Sequence, residues 1–241
     1  MELAGKVAII TGGGRGIGRA IALTIAEHGV NVGVLARSEL EVNETVELAR
    51  GKRVEAIPLI ADVSKPDDVK RAVDGVIAKW GRIDILVNNA GFARFKPFVE
   101  MSIEDWKQTI DVNLTGTFLM TKAVVPYMIE RREGVIINIS SVAGLKPLLN
   151  QSAYCASKHG VNGLTTTLAM ELKRYNIRVH AICPGGVVTR LSEENMPERD
   201  KTDWMLPGDV AHSVMYLLTL SPRATTDIIY LRRYNSVPLG G

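Results

Sequence analysis

Short apolar runs alternate along this chain with longer stretches of helical periodicity. Val7–Thr11 is followed by a periodic stretch over 16–28, Val32–Ala36 by one over 39–50, and Val54–Ala61 by one over 66–80. Ile83–Asn88, Val135–Ser140 and Ile177–Cys183 repeat the apolar theme, separated by predicted helices over 102–130 and 152–174. A helix over 208–220 and a last strand, Ile228–Leu231, complete the series. Strands that read as near-continuous hydrophobic runs are covered on both faces. Their alternation with helices places them in one parallel sheet. The pattern therefore predicts an α/β fold: a doubly wound parallel sheet with helices on both faces. No linker, repeat or low-complexity segment divides the 241 residues, so they are expected to form a single domain, 1–241. Residues 191–206 are polar with few apolar anchors, and are expected to form a mobile lid.

Composition narrows the picture. Hydrophobic residues make up 46% and charged residues 23%, the balance of a soluble globular chain with a large core. Net charge is +3, with acids interleaved among the bases. No basic stripe or aromatic interleaving points to nucleic acid. No apolar run approaches the ~20 residues that span a bilayer, and the first residues do not read as a cleaved signal peptide. Cys155 and Cys183 follow no metal or redox spacing and are expected to be core residues in a reducing, cytoplasmic setting. Ser38, Ser64 and Ser102 each precede an acid by three residues and read as helix N-caps. Glu39, Glu41, Asp67 and Asp105 are credited to that structural work rather than to chemistry.

Thr11-Gly12-Gly13-Gly14-Arg15-Gly16-Ile17-Gly18 lies between the first predicted strand and the first helix. Glycines let backbone amides approach a diphosphate, and the helix N-terminus adds partial positive charge. The position after strand one favours a dinucleotide over an unliganded turn. No P-loop lysine is present, which disfavours a nucleotide triphosphatase. The second strand ends Leu35-Ala36-Arg37, with no acid to bind ribose hydroxyls. Arg37 and Arg15 are placed to clamp a 2′-phosphate, which predicts NADP(H); two solvated surface arginines are the competing reading. Asp62-Val63 and Asn88-Asn89-Ala90-Gly91 close the next two strands, at the sheet edge where ligands bind.

Tyr154 and Lys158 are four apart on a predicted helix and share one face. An ammonium beside a phenol favours the phenolate and is expected to lower its pKa, making Tyr154 an acid/base. Ser141, at the end of the fifth strand, is placed to hold a carbonyl oxygen. Asn113 falls in mid-helix, where asparagine is unfavourable, and so is flagged as a site candidate.

These residues, with the Pro184-Gly185 turn and Thr189, resemble the short-chain dehydrogenases/reductases over roughly residues 5–190. The resemblance implies a Rossmann-type fold and hydride transfer between nicotinamide and a carbonyl or alcohol carbon. It implies that Lys158 also holds the nicotinamide ribose and that Asn113 supports a water linking Lys158 to solvent. It further implies cofactor contacts from Gly12, Gly14, Gly16, Ile17, Gly18, Asp62, Val63, Asn89, Ala90, Gly91, Pro184, Gly185, Val187 and Thr189, the last on the carboxamide. Up to Ala90 the chain looks most like the 3-oxoacyl-carrier-protein reductases.

Two features depart from that subgroup: His180, where asparagine is common, and the ending Thr226-Asp227-Ile228-Ile229-Tyr230-Leu231-Arg232-Arg233. The ending looks more like members acting on small hydroxy acids or general carbonyl compounds. Arg131, Arg132, Lys173 and Arg174 could dock an acidic carrier protein, but stabilisation of helix C-termini by positive charge is the favoured reading. Leu145, Leu148 and Leu149 offer an apolar wall or ordinary loop packing. Small residues on the 152–174 helix, including Ala156, Gly160 and Gly163, permit close helix approach, and with the resemblance imply a homo-oligomer, dimer or tetramer. A non-catalytic NADP(H) sensor is the alternative from another class; it has no need of an acid/base pair.

Overall fold

The computed structural model describes residues 2–239. Its strands are β1 (Val7–Thr11), β2 (Asn31–Ala36), β3 (Ala56–Ile60), β4 (Ile85–Asn88), β5 (Gly134–Ile139), β6 (Ile177–Pro184) and β7 (Ile228–Leu231). The helices are α1 (Gly16–Glu27), α2 (Glu39–Arg50), α3 (Pro66–Trp80), α4 (Ile103–Ile110), α5 (Gly116–Arg131), α6 (Ser152–Leu172), α7 (Arg190–Asn195) and α8 (Pro207–Thr219). All seven strands run parallel in the order β3-β2-β1-β4-β5-β6-β7. The chain winds outward from β1 to β3, then crosses to β4 on the other side of β1. That reversal opens a crevice at the strands' carboxyl ends.

Pleating sends alternate side chains to opposite faces, so each strand serves two cores. Val7 and Ile9 of β1 pack with α3 and α5, whereas Ala8 and Ile10 pack with α1, α2 and α8. Full burial of β1, β4 and β5 is why the sequence shows unbroken apolar runs there.

Local signals set most boundaries. Ser38 Oγ and Ser102 Oγ accept from the backbone N–H groups of Glu41 and Asp105, as N-caps do. α3 starts at Pro66, whose missing N–H would have no partner there, and stops at Gly81, a left-handed residue with φ 68°. Ser64 does not cap α3; Lys65 occupies that position. Both Ser64 N–H and Ser64 Oγ instead donate to Asp62 Oδ1, at 2.9 and 2.7 Å, and the aspartate organises the turn.

The helix predicted over 102–130 is three pieces. Between α4 and α5 the chain makes one wide π turn, Asp111–Thr115, centred on buried Asn113. Such bulges occur where side-chain bonds compete with the helical ladder. The segment 191–206 is also better anchored than its polarity suggests. It begins in α7, capped by Thr189, and ends in buried Trp204 and Met205, with Met205 bridging to Val187.

Candidate active site

The crevice is a cavity of ≈ 720 Å³ reached from nearly every strand end. On its β1–β3 side the turn after β1 presents bare backbone. Gly12 and Gly16 have φ 62° and 53°, a region closed to most side chains. A Cβ on Gly12 would lie 2.9 Å from both Ala90 Cα and the Asn89 amide. Gly18 does not line the cavity: a Cβ there would strike the carbonyl oxygen of Gly12, so its glycine is required for close packing of α1 behind the turn. Every other residue expected to contact a cofactor lines this one space. Asn89 ties the turn to β4 by donating through Nδ2 to Thr11 O at 3.0 Å.

The two arginines at the nucleotide end are not free. Arg15 Nη1 pairs with Glu41 Oε1 at 3.0 Å, and Arg37 Nη1 lies 3.9 Å from Asp62 Oδ2. Glu41, credited from sequence only with capping, thus has its carboxylate in the cavity wall as well. The second partner of that carboxylate is Arg190, at 3.7 Å.

On the β5–β7 side the structure brings Ser141, Tyr154 and Lys158 together. Ser141 follows β5 and lines the cavity beside Tyr154; its hydroxyl accepts from Ala143 N–H at 3.1 Å and lowers the Tyr154 pKa. Tyr154 is half-buried and meets the edge of Phe95, ring centroids 5.7 Å apart. Lys158 is buried, its Nζ 5.6 Å from the centre of the Tyr154 ring, and it donates to Ile139 O at 2.9 Å. That contact uses one of its three N–H donors.

The electrostatics correct the expectation from spacing. Burial pushes the Tyr154 phenol up to about 12, only partly offset by the Ser141 hydroxyl. Burial also lowers the Lys158 ammonium to about 8. Desolvation is the largest influence on both groups. Near neutral pH the phenol holds its proton and the amine its charge, a pair set to donate a proton rather than to withdraw one.

Asn113 does not line the cavity. Its Nδ2 donates to Phe92 O and Ser157 Oγ at 2.9 and 3.0 Å, and its Oδ1 accepts from Phe92 N–H at 2.8 Å. It fastens the chain after β4 to α6, which carries Tyr154 and Lys158. Of the three leucines expected to form an apolar wall, only Leu148 lines the cavity; Leu149 is 89% exposed. The small residues of α6 are partly spent within the chain, since a Cβ on Gly160 would collide with Leu114. Several wall residues have no sequence motif: Phe92, Phe95, Trp204 and the tail residues Arg232, Arg233 and Val237. The tail folds back over the cavity, and a doubled arginine just past the last strand was its one trace in the sequence.

A wall of bare backbone amides, and a buried ammonium with two further donors, fit a dinucleotide carrying ribose hydroxyls and a diphosphate. Comparison with known proteins agrees. Residues 6–200 match the short chain dehydrogenase family. The chain is 44% identical over 226 residues to the 3-oxoacyl-[acyl-carrier-protein] reductase of Thermotoga maritima, covering 90% of this chain and 92% of that one. The likeness thus extends well beyond the first ninety residues. A metagenomic short-chain oxidoreductase in complex with NADP is 35% identical with a TM-score of 0.85, covering 97% and 99% of the two chains. An NAD⁺-bound xylitol dehydrogenase is 31% identical with a TM-score of 0.87, covering 96% and 98%. The turn after β1, the Tyr154–Lys158 pair at the β5–β7 side and the extent of these matches lead to one conclusion: the chain belongs to the short chain dehydrogenase family.

Proposed function

We propose that the chain is an NADP(H)-dependent oxidoreductase that interconverts a carbonyl and a secondary alcohol, as a 3-oxoacyl-carrier-protein reductase or a related carbonyl reductase. The observation that carries this reading is the convergence of Ser141, Tyr154 and Lys158, from β5 and α6, on the cavity that the glycine turn lines from β1. When bound, the nicotinamide supplies or accepts the hydride. The protein's part is position and a proton. Ser141 and Tyr154 both line the cavity and present two hydroxyls to one carbonyl oxygen. As charge develops on that oxygen, the phenolic proton of Tyr154 moves to it. Lys158, charged below pH about 8, stabilises the phenolate left behind and offers its remaining donors to ribose hydroxyls.

The test is Tyr154→Phe. Turnover of a ketone should fall by ~10²–10⁴-fold, the usual worth of a positioned acid, while NADPH still binds. Turnover within a few-fold of the parent would remove Tyr154 from the reaction.

NADP(H) over NAD(H) rests on Arg37, 69% exposed at the end of β2 with only a distant carboxylate, and on the absence of an acid at that strand's tip. The second reading, NAD(H), is favoured by Glu41, whose carboxylate occupies Arg15 and would repel a 2′-phosphate. Arg37→Ala should weaken NADPH by ~10-fold and leave NADH unchanged, the loss of one charge-assisted bond at an exposed site. Equal effects on both cofactors would favour NAD(H).

We further propose a homo-oligomer. Phe98, Val99, Ile103, Trp106 and Phe118, on and before α4 and α5, are all exposed. Large apolar side chains left exposed along one stretch of chain favour a contact surface. A 26 kDa species alone in sedimentation would contradict it.

A further inference from the structure

The cavity wall is strongly unbalanced in charge. It holds eight cationic side chains but two carboxylates. Both carboxylates, Glu41 and Asp62, stand on the β1–β3 side, where they pair with Arg15, Arg190 and Arg37. On the β5–β7 side no acid lines the wall, yet Lys146, Arg199 and Arg233 line the cavity from three separate segments, after β5, after α7 and after β7. None of the three is ion-paired among the described residues. The neighbouring Asp203 lies outside the lining and accepts from Asn235 Nδ2 at 3.2 Å.

The backbone that carries two of these cations is held in place. Arg232 Nη1 donates to the carbonyl oxygens of Arg233, Tyr234 and Ser236, folding the tail into a tight turn. That turn sets the Arg233 guanidinium 5.5 Å from the centre of the Trp204 ring. Trp204 is itself fixed, because its indole lies where a Cβ on Gly186 would be. Arg199 stands on a turn closed by Lys201 Nζ, which donates to Met196 O and Arg199 O at 2.7 and 3.1 Å. Phe95, which meets Tyr154, and Leu148, Met196 and Trp204 add apolar wall to the same cavity.

Resting on the hydride-transfer reading, we propose that the substrate is an oxo compound with an anionic group, and that Lys146, Arg199 and Arg233 bind that group while Tyr154 faces the carbonyl. Guanidinium forks suit carboxylate and phosphate alike. The anion is thus the carboxylate of a small oxo acid or the phosphate of a pantetheine thioester. Phe95 against Tyr154 and Trp204 beneath Arg233 make the wall at both groups apolar, which suits an aliphatic spacer between anion and carbonyl. Unpaired like charges in one cavity repel one another, so an arriving anion gains both attraction and relief of that repulsion.

The test uses calorimetric binding to the full chain with NADP⁺ present. The ligands are hydroxy acids of increasing length, each against its methyl ester, and a 3-hydroxyacyl pantetheine thioester with and without its phosphate. We expect the anionic member to bind at least ~10-fold more tightly in one of the two series, which identifies the source of the anion. Arg233→Gln with Arg199→Gln should erase that preference, leave the neutral member's affinity unchanged, and leave NADP⁺ affinity unchanged. Equal binding of neutral and anionic members in both series overturns the proposal, as does a preference that survives the double substitution, or no binding of any anionic member. Hydride transfer is scored separately, as NADPH oxidation by a neutral ketone. That activity stands if only the anion site is wrong and is absent if the hydride-transfer reading is wrong.

Discussion

Buried charge occurs at both ends of this sheet, and the two ends treat it in opposite ways. At the amino-terminal edge Asp84 is fully buried. Its carboxylate accepts from Arg82 Nε and Nη2 at 2.7 and 2.5 Å and from Val7 N–H at 2.9 Å, with Lys6 at 3.9 Å. At the carboxyl edge Lys158 is as deeply buried but has one acceptor, Ile139 O. Asp84 is thus saturated with partners and ties the first residues of β1, β4 and β5 together, since Val135 N–H also donates to Asp84 O at 2.9 Å. Lys158 keeps donors in reserve and bears a depressed pKa. A charge compensated on every side is a fastening; a charge buried and left partly unanswered is poised for a ligand or a proton.

The sharpest way to break this contrast is to remove each charge and ask what fails. Asp84→Ala leaves Arg82 and Val7 N–H without their acceptor. It should cost about 3–5 kcal/mol in urea unfolding, the usual effect of removing one partner of a buried pair. NADPH affinity of the protein that remains folded should be unchanged. Loss of NADPH binding without loss of stability would mean that the amino edge is part of the site.

Lys158 should respond in the opposite sense. Its pKa is lowered from 10.5 to about 8 in the folded chain, so between those values the unfolded chain binds more protons. Stability contributed at this position therefore rises with pH across that window and is lowest below pH about 8, where the charged amine is held in a poor solvent. Unfolding free energies of the parent minus those of Lys158→Met should grow as pH is raised from 8 toward 10.5. Activity should move the other way, because the charge that steadies the Tyr154 phenolate is lost. The kcat/KM for NADPH, which reports groups of the free enzyme, should fall above pH about 8. A stability difference that does not vary with pH, or a flat activity profile, would mean the amine is better solvated than its burial implies.

The sheet and the nucleotide turn were legible because each rests on a local rule. Apolar runs between helical periods read as doubly covered strands, and β1 and β7 were placed to the residue. The glycines at 12 and 16 were legible because backbone conformation and close approach exclude other residues there. Three things were not legible, each for a non-local reason. Spacing shows that Tyr154 and Lys158 share a helix face, but not how much water the fold removes from them, and desolvation reverses the expected shift. The π turn at Asn113 depends on bonds to Phe92 and Ser157, twenty-one and forty-four residues away. The cationic wall depends on the tail meeting Trp204, a contact that no periodicity encodes.

The smallest effect sharpens the contrast from within the amino edge. Lys6 reaches Asp84 only at 3.9 Å and makes its shorter contact, 2.8 Å, with Glu133, whose side chain is 34% exposed. Because Arg82 already grips Asp84 with two bonds, loss of Lys6 leaves no buried acceptor bare. Lys6→Met should therefore cost only about 1 kcal/mol or less, in the range of exposed ion pairs. Much of that cost should vanish in high salt, which screens Glu133 but not the buried Arg82–Asp84 pair. If Lys6→Met instead destabilised as much as Asp84→Ala, the carboxylate would depend on both cations. The amino edge would then be a network without slack, and the distinction between a saturated charge and an unsatisfied one would have to be drawn from the whole cluster, not from Asp84 alone.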